Sequence, residues 1–376
     1  MLFMAPSLRR PTGRTHPNNL GYCSAAPRRS MGAVTRGGLL ERMRRMPAVA
    51  ADRETLARTV YAAVARHVPY DFACFATTDP STGLITWASK TRDLGVGDEE
   101  FAATEYGEPD LNAFTEIAAR RPPVGVLSVD TDGHPERCRR HREFMAPRFG
   151  FTDELRVAFV DRGATWAALA LYRGPGDPPF TATEGDQLGS VATVVAEAVQ
   201  RCLFRTDREV VHAADDPGPA VLVVDPTDRV AHLTPAAEAV IDELGGRDHG
   251  ALPANLLAVV ASTRHQGAPG QSRALGAAGR WLSLRSAPLS GPGGDGHVVV
   301  TVEPTSRAEL GRLALAAHGL TAREEEVALL VLQGADTRTI AATLHLSPHT
   351  VQDHLKVVFA KLGVSSRREM TARLVL

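Results

Sequence analysis

The residues best suited by type and spacing to do chemistry are Gln352, Asp353 and Lys356, in the stretch from Pro348 to Leu362. At about 100° per residue, Val351, Leu355, Val358 and Leu362 fall within roughly 40° of one another, with Phe359 beside them. That stripe is fit for burial. His349, Gln352, Asp353, Lys356 and Ala360 fall on the opposite side, and Thr350, His354 and Lys361 on one flank. Such a face can hydrogen-bond to base edges: an amide suits adenine, a carboxylate accepts from cytosine, and an ammonium donates to guanine or to phosphate. The plain alternative is a solvated polar face, which any one of these residues taken alone supports equally well.

Other clusters offer less. His134, Glu136, Cys138 and His141 have the types that ligate metals, but zinc chemistry of the deaminase kind needs a later Pro-Cys-x-x-Cys pair, which the chain lacks. With Arg137, Arg139, Arg140 and Arg142 interleaved, the cluster reads as a solvated helix, or as a contact for an acidic partner or ligand. Val221 to Asp225 could open a phospho-receiver domain. The only lysines, however, are Lys90, Lys356 and Lys361, so none lies between 91 and 355 to neutralise an acyl phosphate. The same scarcity removes a phosphate-binding Gly-Lys-Ser or Gly-Lys-Thr loop, and no Gly-x-Ser-x-Gly elbow occurs. No catalytic residue, metal or cofactor is expected.

The elements that must position the polar face carry start and stop signals. Thr321 with Glu324 makes a capping box that starts a helix at Ala322, with Val327, Leu330 and Val331 inward and a stop at Gly334. Asp336 caps a second, barely two-turn helix with Ile340, Ala341 and Leu344 inward. Ser347-Pro348 restarts the chain, and the third helix runs from Pro348 to about Leu362 before Gly363. Two helices joined by a tight turn, the second polar over its first two turns, fit a helix that enters a DNA major groove.

Leu320-Thr321, Arg323-Glu324, Gly334, Ile340-Ala341, Leu346-Ser347-Pro348, Thr350-Val351, His354-Leu355, Lys361 to Ser365 and Arg367 together resemble the signature of LuxR-type helix-turn-helix transcription regulators. The resemblance spans the whole segment without a gap. It implies base reading through Gln352, Asp353 and Lys356, phosphate contacts from Thr350, His354, Lys361 and Arg367, and a two-fold dimer contact through the last helix, Arg367 to Val375, at Met370 and Leu374. Asp353 departs from the usual pattern, where a neutral or basic residue is more common, and Thr339 replaces a usual Glu. An acid in the groove weakens general phosphate attraction, so target preference does not transfer from relatives.

At 376 residues the chain is long enough for two or three domains with their own cores, and a net charge of −1 argues against wholesale attraction to nucleic acid or membrane. Charge is local instead. From Ser347 onward Lys356, Lys361, Arg367, Arg368 and Arg373 outnumber Asp353 and Glu369, while Glu324, Glu325 and Glu326 mark the other side of the same segment. Cys23, Cys74, Cys138 and Cys202 are far apart, which fits a reducing compartment without a zinc site. No stretch reaches the ~18 apolar residues of a membrane helix, so a soluble cytoplasmic protein is expected.

Residues 1–50 read as a disordered basic extension, either an arm that touches DNA phosphate or the product of an overlong gene start. A helix follows from Asp52 to His67, then strands Asp71 to Thr77 and Leu84 to Ser89 around the turn Asp79 to Gly83. Asp110 to Arg120 reads as a helix capped by Asp110, with Phe114 and Ile117 inward. Strands Glu154 to Val160 and Thr165 to Tyr172 and a long helix, Thr183 to Phe204, complete an α+β sandwich whose pattern resembles a GAF-type sensory domain. Phe72, Cys74, Phe75, Trp87, Phe114 and Trp166 are candidates to line its cavity, with plain core as the alternative.

After the linker Asp215 to Pro219, strands Val221 to Val224 and Arg229 to His232, a helix from Pro235 to Leu244, and strands Arg280 to Ala287 and His297 to Val302 resemble a small PAS-like fold. Ser306 to Ala317 would link it onward. The expected chain is therefore multidomain: extension 1–50, GAF-like 51–205, PAS-like 218–304, linker helix 305–318, and an all-α four-helix helix-turn-helix domain 319–376. The function this implies is a sequence-specific regulator of transcription that binds double-stranded DNA as a homodimer. Its α+β sensory region would answer a small-molecule or protein signal and modulate dimerisation or DNA binding, with RNA polymerase as a further partner and no membrane. The alternative is a ligand-binding or enzymatic sensory module, related to cyclic nucleotides, whose C-terminal domain acts in protein interaction.

Overall fold

A computed structural model describes residues 36–45, 52–204, 218–291 and 293–375. Most of the expected basic extension and the expected linker near 215 lie outside them. Within the extension, however, helix α1 (Arg36–Arg45) places Leu39 and Met43 at 2% and 0% exposure, so this part is a packed element rather than a disordered arm.

The first sheet is built by alternation. Helix α2 (Arg53–Val64) starts where the Asp52 carboxylate accepts from the Thr55 amide at 2.7 Å. Strands β1 (Phe72–Thr78) and β2 (Ile85–Lys90) follow as a hairpin, then short helices α3 (Glu99–Tyr106) and α4 (Phe114–Ala118), strand β3 (Val124–Val126) and helices α5 (Leu127–Asp130) and α6 (Ala146–Phe149). Strands β4 (Asp153–Asp161) and β5 (Ala164–Arg173) pair across Arg162-Gly163, both with positive φ, as a two-residue hairpin turn of the primed kind requires. The antiparallel order is β2-β1-β5-β4-β3. Ala73 and Phe75 of β1 and Leu169 and Leu171 of β5 face one core, with α1, α2, α7 (Ala182–Gly189) and α8 (Ala192–Leu203). Phe72, Ala170 and Tyr172, their period-two neighbours, face a second aromatic cluster with Phe144 and Phe151.

The second sheet repeats this order. Strands β6 (Ala220–Val224) and β7 (Val230–Leu233), helices α9 (Pro235–Glu243) and α10 (Ala254–Gln266), and strands β8 (Gly270–Leu275), β9 (Trp281–Pro288) and β10 (Val298–Pro304) give β7-β6-β10-β9-β8. Counted from its own first strand, each sheet runs second, first, fifth, fourth, third. The two sheets also touch. Arg273 pairs at 2.9 Å with Asp79, whose side chain is fully buried, and the Asn255 amide donates to the Thr86 carbonyl at 3.1 Å.

Helices α11 (Arg307–Ala317), α12 (Ala322–Leu332), α13 (Thr337–Leu344), α14 (Pro348–Leu362) and α15 (Arg367–Val375) form an all-helical C-terminus around Leu315, Val327, Ile340, Val351, Val358 and Met370. The expected fold class, an α+β region followed by a helical helix-turn-helix, is the one observed. Among the described residues no helix is long and apolar enough to cross a membrane.

Several local expectations are corrected. The helix expected from Thr183 to Phe204 is two, separated by Ser190 and Val191. Asp110 does not cap a helix, since α4 begins after Ala113; its carboxylate accepts from the amides of Leu111, Arg139 and Arg140 instead. Helix α10 gives no periodic signal because every residue from Asn255 to Thr263 is buried, so no polar face alternates with an apolar one.

Candidate nucleic-acid interface

Each C-terminal helix begins on a side-chain cap. The Thr321 and Glu324 capping box starts α12, Asp336 accepts from the Thr339 amide at 2.7 Å to start α13, and Ser347 accepts from the Thr350 amide at 3.0 Å to start α14. His345 ends α13 at φ 53°, and Gly363 ends α14 at φ 64°, both left-handed. Between these stops Val351, Leu355, Val358 and Leu362 are buried, which fixes the rotation of α14 about its axis.

The opposite face is exposed. The side chains of His349, Asp353 and Lys356 keep 88%, 56% and 81% of their surface. The Asp353 carboxylate sits between two potential cations, 3.0 Å from His349 Nδ1 and 4.0 Å from Lys356 Nζ. An acid flanked this way repels phosphate less than an isolated one. Gln352 is exposed but anchored, its amide donating at 3.0 Å to the Thr337 hydroxyl on α13.

The expected phosphate contacts divide. The Thr350 hydroxyl lies 2.8 Å from the Ser347 hydroxyl, and His354 is half-buried. Lys361 is exposed but tied back to its own domain: its ammonium donates to the Gly319 carbonyl at 3.1 Å and pairs with Glu324 at 2.5 Å. Burial opposes ionisation of Glu324, but Lys361 and the Thr321 cap hold its carboxyl below the usual range. Arg367 likewise donates to the Ala335 carbonyl at 2.8 Å and the Thr337 hydroxyl at 2.9 Å, so it braces the turn between α12 and α13.

The expected dimer residues lie in this chain's own core. Met370 and Leu374 are 0% and 4% exposed, packed in the core where α15 meets α11 and α12, and have no surface to offer a second copy in this arrangement. Among the described side chains of α15, Arg368, Glu369 and Ala372 are exposed. Arg338, exposed on α13, was not singled out in the sequence; its signal was its place two residues after the Asp336 cap, at the helix end that favours anions.

The sensory candidates also part company. Phe72, Cys74 and Phe114 line a cavity on the first sheet, while Phe75 and Trp166 belong to the opposite core and Trp87 packs at its margin. Burial pushes the Cys74 thiol up to about 12, which suits a small apolar wall residue. The stretch from His134 to Arg142 is not a solvated helix. Cys138 is buried 3.3 Å from Asp110, His141 is buried, and Arg140 is 2% exposed in an ion pair with Glu154 at 2.6 Å. Among the described residues no His, Cys, Asp and Glu side chains cluster as three or more metal ligands.

Residues 318–374 match the model of the family described as "Bacterial regulatory proteins, luxR family". A protein of Aeromonas salmonicida described as an HTH-type transcriptional regulator in the exeN 3′ region is 42% identical over 65 residues, 17% of this chain and 33% of that protein. This chain therefore spans about a third of that relative's length. The spore germination protein GerE of Bacillus subtilis (strain 168) is 39% identical over 56 residues, 15% of this chain and 76% of GerE. Among solved structures, Escherichia coli SdiA aligns with 91% of this chain and 98% of its own at 11% identity, and its TM-score of 0.32 is too low to argue from. On the family model and the coverage of GerE, the chain belongs to the LuxR family of bacterial regulatory proteins.

Proposed function

We propose that this chain is a cytoplasmic, sequence-specific regulator of transcription that places α14 in the DNA major groove as a homodimer. The observation that carries the reading is the rotation of α14, whose Val351, Leu355, Val358 and Leu362 are buried while His349, Gln352, Asp353 and Lys356 stay exposed along one side. In this reading Gln352, Asp353 and Lys356 meet base edges, and Thr350, His354 and Arg338 lie toward phosphate. Lys361 and Arg367 hold the scaffold. A two-fold contact through α15 falls to Arg368, Glu369 and Ala372.

The domain division supporting this is a GAF-like unit, 51–205, a PAS-like unit, 218–304, a linker helix, 305–318, and the helix-turn-helix, 319–376. The two sheet units take a small-molecule or protein signal and pass it through α11, and RNA polymerase is a further partner. Selection of bound duplexes from a random pool by the full chain tests the reading. The expected product is an inverted repeat with half-sites about one helical turn apart. A pool that stays random after repeated rounds overturns it.

A further inference from the structure

The second face of the first sheet holds a cavity of about 70 Å³ that DNA recognition does not use. Since one water needs about 10–15 Å³ on this measure, the space suits a compact organic molecule. Its apolar walls come from Phe72, Ala88, Ala168, Ala170, Phe101 and Phe114. Its polar lining is Lys90, Asp98, Glu105, Tyr106, Arg140 and Arg156, the last two with side chains 2% and 5% exposed. Arg140 pairs with Glu154 and Arg156 with Glu105, each at 2.6 Å, and the Arg156 guanidinium lies 3.8 Å over the Phe114 ring.

Two features separate this network from a plain buried ion pair. First, Nε and Nη1 of Arg140 and Nε of Arg156 make no hydrogen bond among the described residues; Asp110 lies 3.9 Å from Arg140 Nη1, and Glu154 Oε1, itself unbonded, 3.4 Å from Arg156 Nε. Buried charged donors ordinarily find partners, and Arg140, which lines the cavity with two unbonded nitrogens, points to an acceptor supplied from outside. Second, the positive charge is already more than matched: Arg140, Arg156 and Lys90 face Glu154, Glu105 and Asp98, with Asp110 3.9 Å from Arg140 and Asp248 3.5 Å from Lys90. An entering anion would find no surplus positive charge and would lie close to Glu105 and Glu154. A neutral acceptor takes the free N–H groups without adding charge.

We propose that this cavity binds a compact, uncharged, mostly apolar molecule, about one small ring in size, carrying a single carbonyl-type acceptor aimed at Arg140 and Arg156. The proposal rests on the reading of the sheet units as sensory and names the ligand class. It also gives a route onward. Ala254, the first residue of α10, lines the cavity, and its neighbour Asn255 bonds to Thr86 of the first sheet and to Leu244 of the second unit. Occupancy thus bears on the joint between the two units.

The test uses the purified full chain and three probes of similar size: ε-caprolactam, neutral with a carbonyl; benzoate, anionic; and toluene, with no acceptor. Direct binding is measured by ligand-observed NMR titration. Caprolactam is expected to bind at least about tenfold more tightly than either of the others, the factor that hydrogen bonds from charged donors supply. Ala168→Leu and, at the less buried margin, Ala88→Leu fill the cavity and abolish caprolactam binding. Benzoate or toluene binding as tightly as caprolactam overturns the proposal, as does no binding, or binding that survives both substitutions in folded variants. The wild-type ranking decides even if both variants misfold. No DNA is present, so failure here leaves the groove-reading helix standing, and loss of DNA binding with caprolactam binding intact overturns only the regulator reading.

Discussion

In the proposed reading, Asp353 sets target preference rather than affinity. Lying 3.0 Å from His349 Nδ1 and 4.0 Å from Lys356 Nζ, its carboxylate still offers an oxygen to a cytosine amino group. Asp353→Ala is expected to raise affinity for arbitrary duplex DNA while removing about 1–3 kcal/mol of discrimination at one base pair, measured by competition between selected and unrelated duplexes. Lys361 belongs to a different class. Because its ammonium closes on Glu324, Lys361→Met is expected to cost about 1–2 kcal/mol of stability and to leave the salt dependence of DNA binding unchanged. The sign of the pH effect follows from Glu324, whose carboxyl is held low in the fold. Its contribution is present above the unfolded value of about 4.3 and is lost as pH falls below it, so the gap between wild type and Lys361→Met closes in acid. Thermal unfolding from neutral to acidic pH checks both statements.

At the scale of elements, α14 is set by its two ends. Ser347→Ala removes the cap on the Thr350 amide and is expected to cost about 1 kcal/mol, and Gly363→Ala, forced to keep φ 64°, about the same. Denaturant midpoints of the C-terminal helices report both. These ends were legible in the sequence because caps and stops are local chemistry, and the buried stripe was legible because one face of α14 is solvated. Where burial is complete, that contrast vanishes. Helix α10, buried from Asn255 to Thr263, has no period to read. Arg140 misled for a related reason: four arginines in six residues suggest a wet surface, and the acid that draws Arg140 inward, Glu154, lies on a strand that local spacing cannot pair with it. Met370 and Leu374 read as interface from resemblance alone, and the packing of α11 against α15 puts them in the chain's own core.

In the whole molecule, the helical C-terminus meets the first sheet unit through few residues. Phe204, at the end of α8, packs into both the first core and the C-terminal core and stacks on Trp281 of the second sheet at 5.2 Å. Phe204→Ala is expected to speed amide exchange across 307–317 while leaving β1 and β5 protected, since it loosens a joint rather than a core. Uniform exchange throughout would contradict that. The central claim is that the exposed face of α14 meets DNA, and the most direct measurement is the affinity of the full chain for its selected duplex as a function of salt, for wild type and Lys356→Ala. The account predicts affinity that falls steeply with salt for wild type, and a variant that binds more weakly with a log–log slope shallower by about one unit. Equal affinities and equal slopes for the two proteins would contradict it.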